Sequence, residues 1–269
     1  MAIPLEDKFN DIIGKAMRGS QLDDSQVGQK TGADADAVEA LRGGAWDEAL
    51  ARKVAPVLNL GADALAASGN ESWAPKPVTL DGFAQFNTPY EDMTVNSYLV
   101  WDPATSEAVA FDTGADCSGM LDLITEKKLR VKYILLTHTH GDHIFDLDRL
   151  KSKTGAPAFV GDRESVDGAE PFAHGRSWTL GSLKIESRLT WGHSRGGITY
   201  VVRGLAQPVA IVGDAVFAGS MGGGGVSYPD ALATNKKEIL TLPDNTIIAP
   251  GHGPLTTVGE EKRHNPFFA

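Results

Sequence analysis

The stretch LTHTHGDH, residues 136–143, places three of the chain's seven histidines within six positions. It continues a short apolar run that is typical of a buried strand. His138 and His140 are two positions apart in an extended segment, so their side chains point the same way. Asp142 and His143 follow at the predicted start of a helix. Four nitrogen and oxygen donors therefore lie at the carboxyl end of a strand, where α/β proteins bind ligands, and imidazole binds zinc and iron well.

Four further apolar segments each end at a polar residue flanked by glycine. These segments read FDTG at 111–114, GHS at 192–194, VGDA at 212–215 and PGHGP at 250–254. Each is predicted to close a strand, and with the first stretch they contain five of the seven histidines. The histidine cluster is therefore one part of an ordered set of strand-end motifs.

The five motifs in this order resemble those of the metallo-β-lactamase superfamily, over residues 78–269. The resemblance implies an α/β fold, a metallo-β-lactamase-type αββα sandwich, with two divalent metal ions at one edge. Zinc is the first expectation, and iron or manganese also suit an all-His/Asp donor set. Asp112 would hold the ligands in place from behind. The implied ligands are His138, His140 and His193 for one metal, Asp142, His143 and His252 for the second, and Asp214 as the bridge between them.

The resemblance also implies the chemistry of the site. A hydroxide bridging the two metals would attack a substrate carbonyl, and Asp142 would orient that nucleophile and accept its proton. Within the superfamily, the stretches at 213–220, 242–244 and 259–268 are similar to the glyoxalase II branch, which hydrolyses glutathione thioesters such as S-lactoylglutathione. A small-molecule substrate, and specifically a glutathione thioester, is therefore expected.

The same branch implies three substrate contacts. Tyr200 would lie near the glutathione moiety, and Lys262 and Arg263 would meet a substrate carboxylate. The alternatives are a core position for the tyrosine and a solvated helix face for the two basic residues. The chain departs from the branch after residue 220, where many relatives have Gly-Arg and an acidic residue. Here Met221 is followed by Gly222–Gly225, which predicts a mobile loop.

Persulfide dioxygenases form the second-ranked branch. They hold a single iron with two His and one Asp, they usually lack the Asp-Thr-Gly motif, and they carry the Gly-Arg-acidic run. This chain contains the Asp-Thr-Gly motif and lacks the Gly-Arg-acidic run. A hydrolase is therefore favoured over this branch. The nuclease branch needs an extra domain, for which the 37 residues between Asp214 and His252 leave no room.

Periodicity divides the chain into two regions and a linker. Residues 1–70 predict a small all-α domain of four or five short helices. Residues 71–77, which follow Gly69 and Asn70 and contain Pro75 and Pro77, predict a linker, and 78–269 predict the catalytic domain. Its expected elements include a first strand at 78–86 and helices at 143–154 and near 229–241.

The all-α domain resembles helix-turn-helix-like modules of cyanases and small repressors. Residues 1–70 contain eleven acidic and seven basic side chains, a net charge of −4. Because a recognition helix needs clustered basic residues, a packing or homo-oligomerisation role is favoured. A metal-dependent regulator that uses the module to bind DNA or a partner is the alternative of a different class.

Composition excludes other partners. The net charge of −10 repels nucleic acid and anionic membranes. The single cysteine, Cys117, fits a reducing compartment, and neither a signal peptide nor an apolar run of membrane-spanning length is recognisable. A cytoplasmic enzyme is expected.

Overall fold

The computed structural model describes residues 3–269, and they begin with five short helices. Asp23 and Gln26 cap the second helix reciprocally: the Asp23 carboxylate accepts from Gln26 N at 2.7 Å, and the Gln26 side chain accepts from Asp23 N at 2.9 Å. This capping box fixes the start of the helix, and Gly32, with φ 71°, ends it. The predicted helical region is confirmed. The helices are α1 (Phe9–Ser20), α2 (Asp24–Thr31), α3 (Ala35–Arg42), α4 (Glu48–Val57) and α5 (Ala62–Gly69).

The first of two six-stranded sheets follows. Its strands are neighbours in chain order: the first three are antiparallel, and the third to the sixth are parallel. The strands are β1 (Phe83–Tyr90), β2 (Met93–Trp101), β3 (Glu107–Phe111), β4 (Arg130–Leu135), β5 (Ala158–Gly161) and β6 (Ala169–Phe172). The helices between them are α6 (Ser118–Glu126), α7 (Gly141–Ile144) and α8 (Leu147–Thr154).

The second sheet also keeps chain order, and only its β10–β11 pair is parallel. Its strands are β7 (Ser177–Leu180), β8 (Leu183–Leu189), β9 (Ile198–Arg203), β10 (Val209–Gly213), β11 (Ile247–Pro250) and β12 (Thr256–Thr257). Its helices are α9 (Tyr228–Thr234), extended by a π-helical turn at Asn235–Ile239, and α10 (Val258–His264). Within residues 3–269, no helix combines the length and the apolar character needed to cross a bilayer.

The two sheets pack face to face between outer helices. Phe111 and Leu135 of the first sheet share a buried cluster with Ile211 of the second. On the outer face of the first sheet, Met120 of α6 packs into another buried cluster. On the outer face of the second sheet, Val258 of α10 does the same. Each helix layer thus covers one sheet, and the predicted αββα sandwich is confirmed.

Tertiary contacts shift several predicted boundaries. The first strand begins at Phe83 rather than at residue 78, after an irregular segment in which Pro75 and Pro77 disfavour regular pairing. The predicted helix 143–154 is interrupted at Asp146, whose carboxylate accepts a hydrogen bond from Cys117 N at 2.9 Å. The sequence does not predict the short strands β6, β7 and β12, because they lack the uninterrupted apolar run that marks the equally short β5 and β11.

The helical region shares its core with the sandwich. Ile13 and Val54 belong to one buried cluster with Met221, Ala231 and Phe267, which come from the sandwich part of the chain. The backbone agrees, since the loop before α5 donates a hydrogen bond to the segment after α10 at 2.7 Å. The helices therefore pack on the sandwich through their own apolar faces, while the division at 70 and 78 stays a prediction.

Glu261 of α10 anchors the C-terminal segment from inside the protein. Its side chain is fully buried. One carboxylate oxygen accepts from Thr256 Oγ1 at 2.7 Å, and the other accepts from Gly219 N at 3.0 Å and Asn265 Nδ2 at 2.8 Å. Burial raises the pKa of this carboxyl to about 7, although the hydrogen bonds act in the opposite direction.

This raised pKa predicts a pH-dependent stability. Between the ordinary pKa of 4.5 and about 7, the unfolded chain has released the Glu261 proton while the folded chain retains it. The stabilisation that protonated Glu261 adds to the fold is therefore fully present below pH 4.5. As the pH rises to about 7, this stabilisation is lost, and the free energy of unfolding falls by roughly 3 kcal/mol.

We expect Glu261→Gln to flatten the fall in unfolding free energy between pH 4.5 and 7, measured by urea denaturation. The amide nitrogen can donate to Thr256 Oγ1, and the amide oxygen keeps the Gly219 and Asn265 bonds. The control is Glu126→Gln, which changes an exposed carboxyl at the end of α6 and should keep the wild-type slope. An unchanged slope in Glu261→Gln would refute the assignment.

Candidate metal centre

The first sheet contributes ligands from the loop after β4. His138 and His140 follow this strand, and α7 carries Asp142 and His143. Asp112 follows the neighbouring parallel strand β3 and has φ 56°, a region that non-glycine residues rarely adopt. Because the carboxyl ends of parallel strands meet at one edge, these side chains converge.

The second sheet contributes three more side chains at the same edge. His193 lies in the loop between β8 and β9, Asp214 follows β10, and His252 follows β11. Gly251 permits this approach, since a Cβ atom at this position would lie 2.0 Å from Asp214 Oδ1 and 2.6 Å from His143 Cε1. Only glycine therefore fits between β11 and the cluster.

Three imidazoles form the first group of donors. His140 Nδ1 lies 3.0 Å from His138 Nε2 and 3.1 Å from His193 Nε2. Three nitrogen atoms this close together are suited to bind one shared cation. His138 is buried, His193 is half-buried and His140 is exposed, so this group opens to solvent on the His140 side.

A second, buried group lies beside the first. Asp142 Oδ2 is 3.3 Å from His252 Nε2 and 3.5 Å from His143 Nε2. Asp214 lies between the groups: its Oδ2 is 3.3 Å from His193 Nε2 and 3.4 Å from His252 Nε2, and its Oδ1 is 3.2 Å from His143 Nε2. The structure thus brings all seven candidate ligands together, with Asp214 touching imidazoles of both groups.

The outward-facing nitrogens of these imidazoles have fixed partners. His252 Nδ1 donates to the Thr94 carbonyl at 2.7 Å, and His193 Nδ1 donates to the Gly223 carbonyl at 3.0 Å. His143 Nδ1 lies 2.8 Å from Asp112 Oδ2. Because each Nδ1 holds a hydrogen in these contacts, each Nε2 presents a lone pair to the cluster, which is the tautomer that a metal ligand requires.

Asp112 also fixes the strand end that carries the first histidines. Its Oδ1 accepts from Thr137 N at 2.7 Å, and its Oδ2 accepts from Thr137 Oγ1 at 2.7 Å. Thr137 Oγ1 in turn lies 3.0 Å from His138 Nδ1. Asp112 therefore orients ligands of both groups without entering either.

The carboxylates create a strongly negative field in the cluster. Burial alone would lower the pKa of His143, yet Asp214 and Asp112 raise it to about 10. Burial likewise opposes the charged form of His252, and Asp214 and Asp142 raise its pKa to about 11. A field that holds protons this firmly favours any cation at the same place.

Two buried atoms show that the donor set fits metal ions. His143 Nε2 and Asp214 Oδ1 have no hydrogen-bond partner among residues 3–269. A buried polar atom without a partner is costly, and a bound cation would satisfy both. Within each group, one ligand atom per residue lies within 4.8 Å of the others. The site therefore suits two metal ions.

Part of the glycine run after Met221 packs closely against its surroundings, while the expected mobility of this loop stays a prediction. A Cβ atom at Gly222 would lie 1.9 Å from the Asp214 carbonyl oxygen, and one at Gly224 would lie 2.4 Å from Tyr228 Cα. Gly223 supplies the carbonyl that orients His193. Gly222 therefore allows the backbone to approach Asp214 and His193, which a side chain at this position would prevent.

The predicted substrate residues lie away from the cluster. Tyr200 is fully buried between the sheets, and its hydroxyl donates to the Leu136 carbonyl at 2.7 Å, so the prediction of substrate contact is wrong for this residue. Lys262 pairs with Asp244, and Arg263 pairs with Glu260, on the exposed side of α10. Within residues 3–269, neither ion pair includes a candidate metal ligand. The role of Lys262 and Arg263 in substrate binding stays a prediction.

The helical region contacts the loop after Asp214, which sequence reasoning missed. Lys15 of α1 donates to the Met221 carbonyl at 2.9 Å and pairs with Asp7. Asp7 also accepts a hydrogen bond from Ser220 Oγ. Because these residues are more than 200 positions apart in the chain, no local pattern could have indicated the contact.

The family model for the metallo-β-lactamase superfamily matches residues 90–252, the segment that contains every candidate ligand described above. The chain belongs to this superfamily. The probable metallo-hydrolase YqgX of Bacillus subtilis is 30% identical over 204 residues, which cover 67% of this chain and 95% of that protein. The superfamily's hydrolases are typically metal-dependent enzymes. Membership therefore indicates that this protein is an enzyme with a metal-binding site.

Two further superfamily members illustrate its range. The hydroxyacylglutathione hydrolase GloC of Haemophilus influenzae is 28% identical over 198 residues, covering 64% of this chain and 92% of that protein. BLEG-1, a B3 metallo-β-lactamase with a known crystal structure, is 30% identical in sequence to this chain. The two structures match with a TM-score of 0.60 over 70% of this chain and 99% of the BLEG-1 chain. Membership in the superfamily thus gives the fold and a metal-binding site, and it does not identify the substrate.

Proposed function

We propose that this protein is a metallohydrolase that cleaves thioesters and binds two divalent metal ions, with zinc as the first candidate. One ion would be held by His138, His140 and His193. The other would be held by Asp142, His143 and His252. The observation that carries the proposal is the convergence of these donors on Asp214, where a bound cation would satisfy the buried His143 Nε2 and Asp214 Oδ1. When bound, the ions would lower the pKa of a water and polarise the substrate carbonyl. The similarity to GloC supports a thioester substrate.

The chain's own residues supply the remaining functions. Burial would raise the pKa of Asp142, but the hydrogen bond from His252 and the charge of His143 outweigh it, so the pKa is lowered and the carboxylate stays ionised at neutral pH. It is therefore able to accept a proton from the attacking water. The exposed His140 marks the side from which a substrate approaches.

S-lactoylglutathione is the first substrate to test, and the cytoplasm, where glutathione is kept reduced, is the compartment that this proposal expects. The experiment measures metal content and S-lactoylglutathione hydrolysis on one sample of purified protein. Two metals with rapid turnover would support the whole proposal. Two metals without turnover would retain the hydrolase and exclude this thioester, which directs the search to other esters, thioesters or lactones.

A variant with a changed ligand tests the assignment of the site. Replacing His140 with alanine removes the nitrogen that contacts both His138 and His193. We expect this variant to lose activity and to bind less metal, measured by atomic absorption. The control is His174→Ala, an exposed histidine outside the cluster, which should behave as wild type. Unchanged turnover in His140→Ala would refute the site.

A single bound iron in the same metal analysis would instead favour the persulfide dioxygenase alternative, with oxygen uptake as its assay. The regulator alternative gains no support from the helical region, because α3 exposes Asp36 and Glu39 and its Arg42 pairs with Asp24. A salt-dependent shift of duplex DNA would be needed to revive it.

A further inference from the structure

Glu164 lies outside all five sequence motifs, in the turn that follows β5. Its Oε2 accepts two hydrogen bonds from Thr139, from the backbone N at 2.7 Å and from Oγ1 at 2.8 Å. Its Oε1 accepts from Gly196 N at 2.9 Å. Thr139 stands between His138 and His140, and Gly196 is three residues after His193. One carboxylate therefore connects the two loops that carry the first group of ligands.

The two loops belong to different sheets. The Thr139 loop leaves β4 of the first sheet, whereas the Gly196 loop joins β8 and β9 of the second. Glu164 itself follows a strand of the first sheet. The distance between His140 Nδ1 and His193 Nε2, 3.1 Å, consequently depends on how the sheets meet at this edge, and Glu164 is a direct polar link between them.

These hydrogen bonds involve an ionised group. Burial would raise the pKa of Glu164, but donors from Ser194, Gly196 and Thr139 outweigh it, so the pKa is lowered. Hydrogen bonds from neutral donors to a carboxylate are short and roughly twice as strong as those between neutral groups. The second group has other supports, since Asp112 and the Thr94 carbonyl hold its imidazoles.

We propose that Glu164 is a positioning residue for the first metal group: its carboxylate fixes His140 relative to His193, and its loss weakens metal binding there while leaving the Asp142, His143 and His252 group intact. The inference rests on the proposed metal occupancy of both groups and is independent of the thioester assignment. Residues that support metal ligands in this way commonly change metal affinity by about 10–100-fold.

The test uses Glu164→Gln, which keeps the size of the side chain and removes one acceptor. A glutamine amide has one oxygen, so its NH₂ group must face the N–H of either Thr139 or Gly196. The control is Glu170→Gln, the same chemical change at an exposed position on β6. A milder variant, Thr139→Val, removes only the Oγ1 bond and covers the case in which Glu164→Gln fails to fold.

Zinc affinity of each group is measured by chelator competition on the full chain. The first group is measured in a His252→Ala background and the second in a His193→Ala background, each with and without the Glu164 change. Circular dichroism of the metal-free proteins reports folding. We expect Glu164→Gln to weaken the first group by roughly tenfold or more, Thr139→Val to weaken it less, and Glu170→Gln to leave both groups unchanged.

Equal weakening of both groups, or no change in either, would overturn the inference. A first group that weakens only in proportion to a lower melting temperature of the metal-free protein would also overturn it, because that pattern indicates general destabilisation. The unsubstituted chain is titrated first. If it fails to bind two zinc ions, the failure counts against the proposed function, whereas a normal titration with unselective variants counts against Glu164 alone.

Discussion

Replacing Asp214 with alanine should reduce the metal content from two ions per chain to less than one and lower hydrolytic activity by at least about a thousandfold. Among residues 3–269, Asp214 is the one carboxylate within 3.5 Å of imidazoles from both groups, with His193, His143 and His252 as its neighbours. Its removal takes a donor from each site. The loss should therefore exceed that of any single imidazole, which belongs to one group only.

The measurement is metal analysis and steady-state hydrolysis of the best substrate found for the wild type. Asp122→Ala, which removes an exposed carboxylate from α6, is the control and should retain both metals. Circular dichroism separates loss of the site from loss of the fold, because breaking buried ion pairs can destabilise a protein by several kcal/mol. A folded Asp214→Ala protein that still binds two ions would contradict the assignment of the bridge.

Removing residues 1–70 should prevent the sandwich from folding to a stable, active form. The helices cover Met221, Ala231 and Phe267 of the sandwich, so deletion would expose a contiguous apolar surface and favour aggregation. It would also remove Lys15 and Asp7, which hold the loop after Asp214. We expect insoluble or partly unfolded protein. The measurements are expression yield, thermal unfolding and metal content.

A point variant tests the same interface without deletion. Ile13 is fully buried in the shared cluster, and Ile13→Ala should lower the free energy of unfolding by about 2–5 kcal/mol. The control is Lys53→Ala at an exposed position on α4, which should change it by less than about 0.5 kcal/mol. A single thermal transition that shifts for the whole chain would show that helices and sandwich unfold together. Two separate transitions, with only the earlier one shifted, would contradict the shared core.

The sequence predicted the sandwich and the residues of the cluster through the resemblance of its five ordered motifs to the metallo-β-lactamase superfamily. Several candidate ligands lie within a few residues after a predicted strand, as His138 does after β4 and Asp214 does after β10. In such a case the local pattern of an apolar run, a polar residue and a glycine contains most of the necessary information. The remaining step, that these strand ends meet, follows from parallel pairing at one edge of each sheet.

The tertiary structure decided everything that depends on contacts between distant segments. Tyr200 and Glu164 illustrate this: both are polar residues outside the five motifs, yet the first is buried between the sheets and the second joins the two loops that carry His140 and His193. The Lys15 contact with Met221 spans most of the chain. Periodicity reports which face of an element is apolar, but it contains no record of which distant backbone group that element will meet, so packing alone assigns these roles.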